Sequence, residues 1–94
     1  MQNKQQKHNS LDIYRRRMGF SATHVARLLG HKGVSVLSSY ERGGRLPTLR
    51  NALRLGIILR VPVEFLFPGF YDGLRNEIRA EEEVLARPTQ AVLF

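Results

Sequence analysis

Cysteine and tryptophan are missing from this chain altogether, and acidic residues are scarce: eight Asp and Glu stand against fifteen Lys and Arg in 94 residues. Without cysteine there can be no disulfide staple, no thiolate zinc site and no thiol nucleophile, a composition that suits a reducing compartment. No apolar run approaches the roughly 20 residues that a membrane span needs. The opening MQNKQQKHNS has no apolar stretch and is not read as a signal peptide. His8, His24 and His31 lie too far apart to form a metal site unaided. Phosphate-cradling glycine loops, dinucleotide fingerprints and G-x-S-x-G nucleophile settings are absent too. The expectation is a protein that is not an enzyme, takes no cofactor and stays out of the membrane.

The charge is unevenly placed as well as large. Residues 1–60 carry twelve Lys and Arg against Asp12 and Glu41, a net of +10, whereas residues 61–94 carry three Arg against six acids, a net of −3. A polycation of this kind attracts polyanions, of which nucleic acid is the commonest. The apolar fraction of 43% is ordinary for a folded domain. At this length the chain builds one modest core.

The periodicity is helical throughout, with no alternation of strand type. Residues 1–9 read as a flexible polar arm, residues 10–69 as one folded domain, and residues 70–94 as a C-terminal amphipathic helix and tail. Ser10 is placed to cap a first helix bearing Leu11, Tyr14 and Met18 on one face, with Gly19 as its stop. Ser21 caps a second, with Val25, Ala26, Leu28 and Leu29 inward and Gly30 at its end. A third follows Gly33 and runs to Glu41. Pro47-Thr48 opens a fourth, whose Leu49, Ala52, Leu53, Gly56 and Ile57 recur at spacings of three and four. Pro62 starts a short fifth helix, Val63 to Phe67, which Pro68-Gly69 stops; Phe65, Leu66 and Phe67 are assigned to the core. The sixth stretch, Phe70 to Ala86, is too thin in apolar residues to stand alone. With the apolar tail Ala91-Val92-Leu93-Phe94, it is expected to pack on the domain or on a second copy.

Projecting residues 31–42 at about 100° per residue divides the third helix. Leu37, Tyr40 and Glu41 share one side with Val34 at its border; His31, Ser35, Ser38, Ser39 and Arg42 share the other, with Lys32 adjoining. The outer face has no carboxylate. Two short helices joined by a glycine-bearing turn, the second with a small, polar, basic face, form the unit that reads the DNA major groove.

The segments GFSATHVARLLG, VSVLSSYERG and RLPTLRNALRLGIILRVPVEFLF together resemble the phage-repressor-type helix-turn-helix family, also called the XRE family. The match covers about residues 11–67 and rests on several elements in order: R-x-x-x-G, A-x-x-L-G, Y-E-R-G, a following proline and V-P-x-E-x-L-F. The resemblance implies an all-α, five-helix repressor-like domain, here with an additional C-terminal helix. It further implies a cytoplasmic, nucleoid-associated location and binding to double-stranded operator DNA, usually as a homodimer. The third helix, about residues 33–41, would lie in the major groove. Carried over by position, Val34, Ser35 and Ser39 match base-contacting residues, and the projection adds Lys32 and Ser38. Arg42 matches a phosphate-contacting residue; Arg45 on the same loop, with Arg16 and Arg17, extends the phosphate set. Arg15 and Glu41 would form a structural salt bridge.

This chain departs from the family pattern in four ways. Ala22 replaces a usual glutamine, the turn Gly30 to Gly33 is one residue longer, Arg60 stands at a common glycine position, and serines dominate the reading face. Serine discriminates poorly among bases, so specificity leans on Lys32, arginine contacts and DNA shape. The longer turn leaves the register open by one residue, which would bring Lys32 and Val36 forward. The expected function is sequence-specific transcriptional regulation, by repression. The alternative is an antitoxin or adaptor of the same fold that grips a protein partner through residues 70–94.

Overall fold

The computed structural model describes residues 9–87, and these form six helices. They are α1 Leu11–Arg17, α2 Ala22–Leu28, α3 Ser35–Arg42, α4 Leu49–Leu59, α5 Val63–Leu66 and α6 Pro68–Ala86. Among the described residues there is no strand, and no helix is long and apolar enough to cross a membrane. The chain has an all-α helix-turn-helix fold with a C-terminal helix. The arm 1–8 and the apolar tail 91–94 lie outside the described residues.

Helices α1 to α5 close around one core in which Leu11, Val25, Leu29, Leu37, Tyr40, Leu55, Leu59, Leu66 and Phe67 are buried. Tyr14, Met18, Phe20, Ala22 and Val36 are partly buried against it. The same turn chemistry ends α1 to α4. In each, the amide that follows a left-handed residue reaches back five residues: Phe20 to the Arg15 carbonyl, His31 to Ala26, Gly44 to Ser39 and Val61 to Gly56. That wrap needs a left-handed residue just past the helix. Gly19, Gly30 and Gly43 supply it without strain, with φ between 77° and 89°. At the fourth position Arg60 is forced to φ 60° and ψ 40°, at a cost of about 1 kcal/mol. Gly56 matters for a different reason. A β-carbon there would stand 3.0 Å from the Val61 carbonyl oxygen and 3.2 Å from Val63 Cγ2, so α4 and α5 approach through it.

Several sequence expectations are corrected. Ser10 occupies the N-cap position of α1 but its side chain makes no capping hydrogen bond; the neighbouring Asn9 Oδ1 takes the Leu11 amide instead. Asn9 also donates to the Tyr40 carbonyl at 2.8 Å, so it belongs to the domain and not to the arm. On α4 the stripe Leu49, Leu53, Ile57 faces outward, with Leu49 and Ile57 about three-quarters exposed, and Ala52, Leu55 and Leu59 form the inner face. Leu28 and Phe65 are likewise exposed. Pro68 does more than stop α5. It is the first residue of α6, where a fixed φ and a missing N–H are no handicap.

Helix α6 leaves the domain. It has no buried residue, so packing back on its own core is ruled out for the described part, and it runs unbroken through Glu81-Glu82-Glu83. The molecule measures 62 × 33 × 21 Å with a radius of gyration of 17.9 Å, against about 12 Å for a compact chain of this size.

Candidate nucleic-acid interface

The interface is built from α2, the turn after it and α3. Ser21 begins α2 by accepting the His24 amide on its side chain. At the far end Arg54 Nη1 donates to the Leu29 carbonyl at 3.2 Å, placing a cation where the helix dipole is negative. Residues 29–34 then form the turn, and α3 starts at Ser35 with Val34 as its N-cap. The third helix is therefore Ser35–Arg42, two residues later at its start than the sequence suggested. The long turn with the wrap at Gly30 and His31 consumes those residues.

This register decides which side chains face where. Leu37 and Tyr40 are buried and Val36 is packed on the core, so Val36 does not belong to the exposed face. Ser35 and Arg42 are exposed, Ser38 and Ser39 are half-buried, and Val34 is exposed at the helix start. Lys32 is exposed but lies in the turn ahead of α3. His31, projected onto the helix from sequence, is also in the turn; it is partly buried, and its Nδ1 is enclosed with no hydrogen-bond partner among the described residues.

Besides the Asn9 bond to the Tyr40 carbonyl, two side-chain pairs hold α3 in place. Arg15 Nε donates to Glu41 Oε2 at 2.7 Å and Arg15 Nη2 to Glu41 Oε1 at 3.1 Å, a two-pronged pair with both side chains only about 15% exposed. The Glu41 hydrogen bond raises the Arg15 pKa above its usual value against the opposing effect of burial, so the guanidinium stays charged. Arg15 Nη1 also donates to the Phe20 carbonyl, which ties the start of the α2 approach to the end of α3. On the other side Asn51 Nδ2 donates to the Tyr40 hydroxyl at 3.0 Å, anchoring α3 to α4.

Exposed cations lie on α3 and on α1, α2 and α4. Arg42 and Arg45 are exposed at and after its C-terminal end. Arg16 and Arg17 are exposed on α1, with Arg17 lying over the Tyr14 ring. Arg27, which sequence reasoning passed over, lines one shallow hollow with Gly30, His31 and Lys32; its position in the last turn of α2, five residues before Lys32, was the available signal. Arg50 is exposed in the first turn of α4 and was also missed.

A family model described as Helix-turn-helix matches residues 11–66, from the first residue of α1 to the last of α5. The chain belongs to this family. The helix-turn-helix domain is of the XRE type, a family of DNA-binding regulators that recognise DNA by sequence. No curated protein matches the chain as a relative. The family match stops at Leu66, two residues before α6 begins, so the protruding helix is an addition to the helix-turn-helix domain.

Proposed function

We propose that this helix-turn-helix protein is a transcriptional repressor acting inside the cell on duplex DNA, with α3 in the major groove. Lys32, Val34, Ser35, Ser38 and Ser39 read base edges; Arg16, Arg17, Arg42 and Arg45 hold phosphates, with Arg27 and Arg50 extending the backbone contact. The observation that carries this reading is the outer face of α3, which has no carboxylate and ends in a basic loop. Arg15 and Glu41 act on the reading indirectly by holding α3 at a fixed angle to α1. Covering a promoter with such a domain excludes polymerase, which makes repression the expected sign of regulation.

One domain reads only a few base pairs, too few to select one genomic site among very many. The protein therefore works as a homodimer on a pseudo-palindrome. The helix α6, in which no residue is buried, supplies the surface for it. The same unpartnered helix also supports the alternative, an antitoxin or adaptor that holds a protein partner there. A small toxin gene beside this one would favour that alternative.

The test is selection of preferred sites from random duplexes, with affinity then measured across salt. Affinity for the selected site should fall steeply, roughly 100-fold or more between 50 and 200 mM salt for five or more phosphate contacts. Ser35→Gln and Ser39→Gln should change the preferred bases, and the exposed Ser35→Gln should leave the melting temperature alone. Arg42→Ala should weaken specific and nonspecific DNA about equally. A salt-independent affinity, or preferences unmoved by either serine change, would remove α3 from the groove.

A further inference from the structure

We infer that α6 pairs antiparallel with α6 of a second copy, with Leu85 of each protomer seated in an apolar hollow at the base of the other's α6. This rests on the dimer reading above and specifies its geometry.

The hollow is strongly apolar. It holds about 460 Å³ and is walled mainly by apolar side chains, Leu46, Pro47, Ala52, Val63 and Phe67 on the domain side and Phe70, Tyr71 and Leu74 of α6, with Glu64 the one charged residue on its wall. Among the described residues nothing fills it. At the opposite end of α6 stands Leu85, 76% exposed and the most exposed large hydrophobic residue described. Within one chain the two ends cannot meet, because a straight 19-residue helix is about 28 Å long.

Charge fixes the direction. Projected at about 100° per residue, Leu74, Ile78, Glu81 and Leu85 form one seam. Arg75 and Glu82 lie together on one flank; Glu77 and Val84 lie on the other. In a parallel, in-register pair each seam residue meets its own copy, so Glu81 faces Glu81, and opposite flanks meet, which brings Glu77 against Glu82. Both contacts are repulsive. Reversing one helix makes like flanks meet. With Leu74 set opposite Leu85 of the second copy, Arg75 falls opposite Glu82, and symmetry repeats the pair. Glu81 then lies across from Ile78, where its long side chain can turn its carboxylate to solvent. The intrahelical pairs Arg75–Asp72 and Arg79–Glu82, at 3.2 Å each, are exposed and worth little, so exchanging them for contacts across the seam is easy.

The absence of native cysteine permits a direct test with the full chain. Leu74→Cys and Leu85→Cys proteins are oxidised separately and as a mixture, with oligomeric state followed by sedimentation. Helical content and melting are checked alongside, since neither residue is in the core. The expected result is a dimer that cross-links in the mixture, joining residue 74 to residue 85, and not in either protein alone. Cross-linking of Leu74→Cys to itself would mean a parallel pair and overturn the proposal while leaving a dimer. A dimer with no cross-link would overturn it in favour of another surface, such as the exposed α4 stripe. A monomer at all concentrations and on DNA would overturn both the geometry and the dimer reading; duplex affinity and site preference, measured independently, leave the DNA-binding reading to stand or fall separately. A charge exchange provides a second check. Arg75→Glu should weaken the dimer by roughly fivefold, and adding Glu82→Arg should restore it. The double variant keeps both new intrahelical repulsions, with Asp72 and Arg79, so recovery can come only from across the seam; no recovery would count against the proposed register.

Discussion

At the scale of single residues, the Arg15–Glu41 pair fastens the end of α3 to α1. It is two-pronged and mostly shielded from solvent, so removing one partner leaves a charge stranded in a poorly hydrated place. Glu41→Ala is expected to cost about 2 kcal/mol, a drop in melting temperature of roughly 10 °C for a domain this small. Reversing both charges should recover only part of the loss caused by either reversal alone, since Arg15 also donates to the Phe20 carbonyl and a glutamate there cannot. Thermal melts of the two single reversals and the double variant decide it: equal melting in all three would show no coupling. Position matching to a known family pointed to the pair in the sequence, because an acid on an otherwise apolar helix face asks for a fixed partner. The Phe20 contact was not legible, for a backbone carbonyl has no sequence signature. Neither was the transfer of the α1 cap from Ser10 to Asn9; both residues can accept an amide, and only the path of the incoming chain selects one.

Among the elements, legibility tracked how one-sided the apolar pattern is. The helices α1 and α3 have one apolar face each, and the residues assigned inward (Leu11, Leu37 and Tyr40) are buried. Helix α4 is different. In LRNALRLGIIL apolar residues occupy nearly the whole circumference, so Leu49, Leu53, Ile57 and Leu55, Leu59 make two competing stripes at helical spacing. Packing against α5 chooses the second. Gly56 fits either pattern, and its role depends on a contact that no periodicity contains. Two identical substitutions expose this. Alanine favours a helix interior over glycine by about 1 kcal/mol, yet Gly56→Ala should lower the melting temperature, because the new methyl meets the Val61 carbonyl in a turn already held by the strained Arg60. Gly73→Ala, in α6 with nothing within 4 Å of the added carbon, should raise helical ellipticity and leave the main unfolding transition where it is. Gly56→Ala melting higher than the parent would mean that the α4–α5 turn has slack. The start of α3 slipped by two residues for a related reason: the sequence shows that a glycine turn is present, but not how many residues the wrap at Gly30 takes up.

For the molecule as a whole, the charge asymmetry seen in composition becomes a division of space, with the basic five-helix domain at one end and the mildly acidic α6 projecting from it. That α6 would be unburied was open in the sequence, since a thin stripe suits a lid and a pairing helix equally. The domain itself is closed in one further respect. The Ser10 amide donates to the Leu66 carbonyl at 2.9 Å, and Asn9 ties the same corner to Tyr40, so the entry and exit of residues 10–67 are neighbours. Topologically the domain is a ring missing one link, and the place where it is cut is arbitrary. A circular permutant that begins at Leu46, runs through Phe67, crosses a linker of about three Gly or Ser residues to Asn9 and ends at Arg45 should fold and bind a half-site. Its melt and duplex affinity, compared with those of residues 9–67 in native order, measure how much the order of connection matters. Failure to fold would mean that the Arg45–Leu46 connection is itself structural. Success would make the reading head a portable cassette, with DNA-contacting and pairing parts that can be rewired separately because a single junction at Phe67-Pro68 joins them.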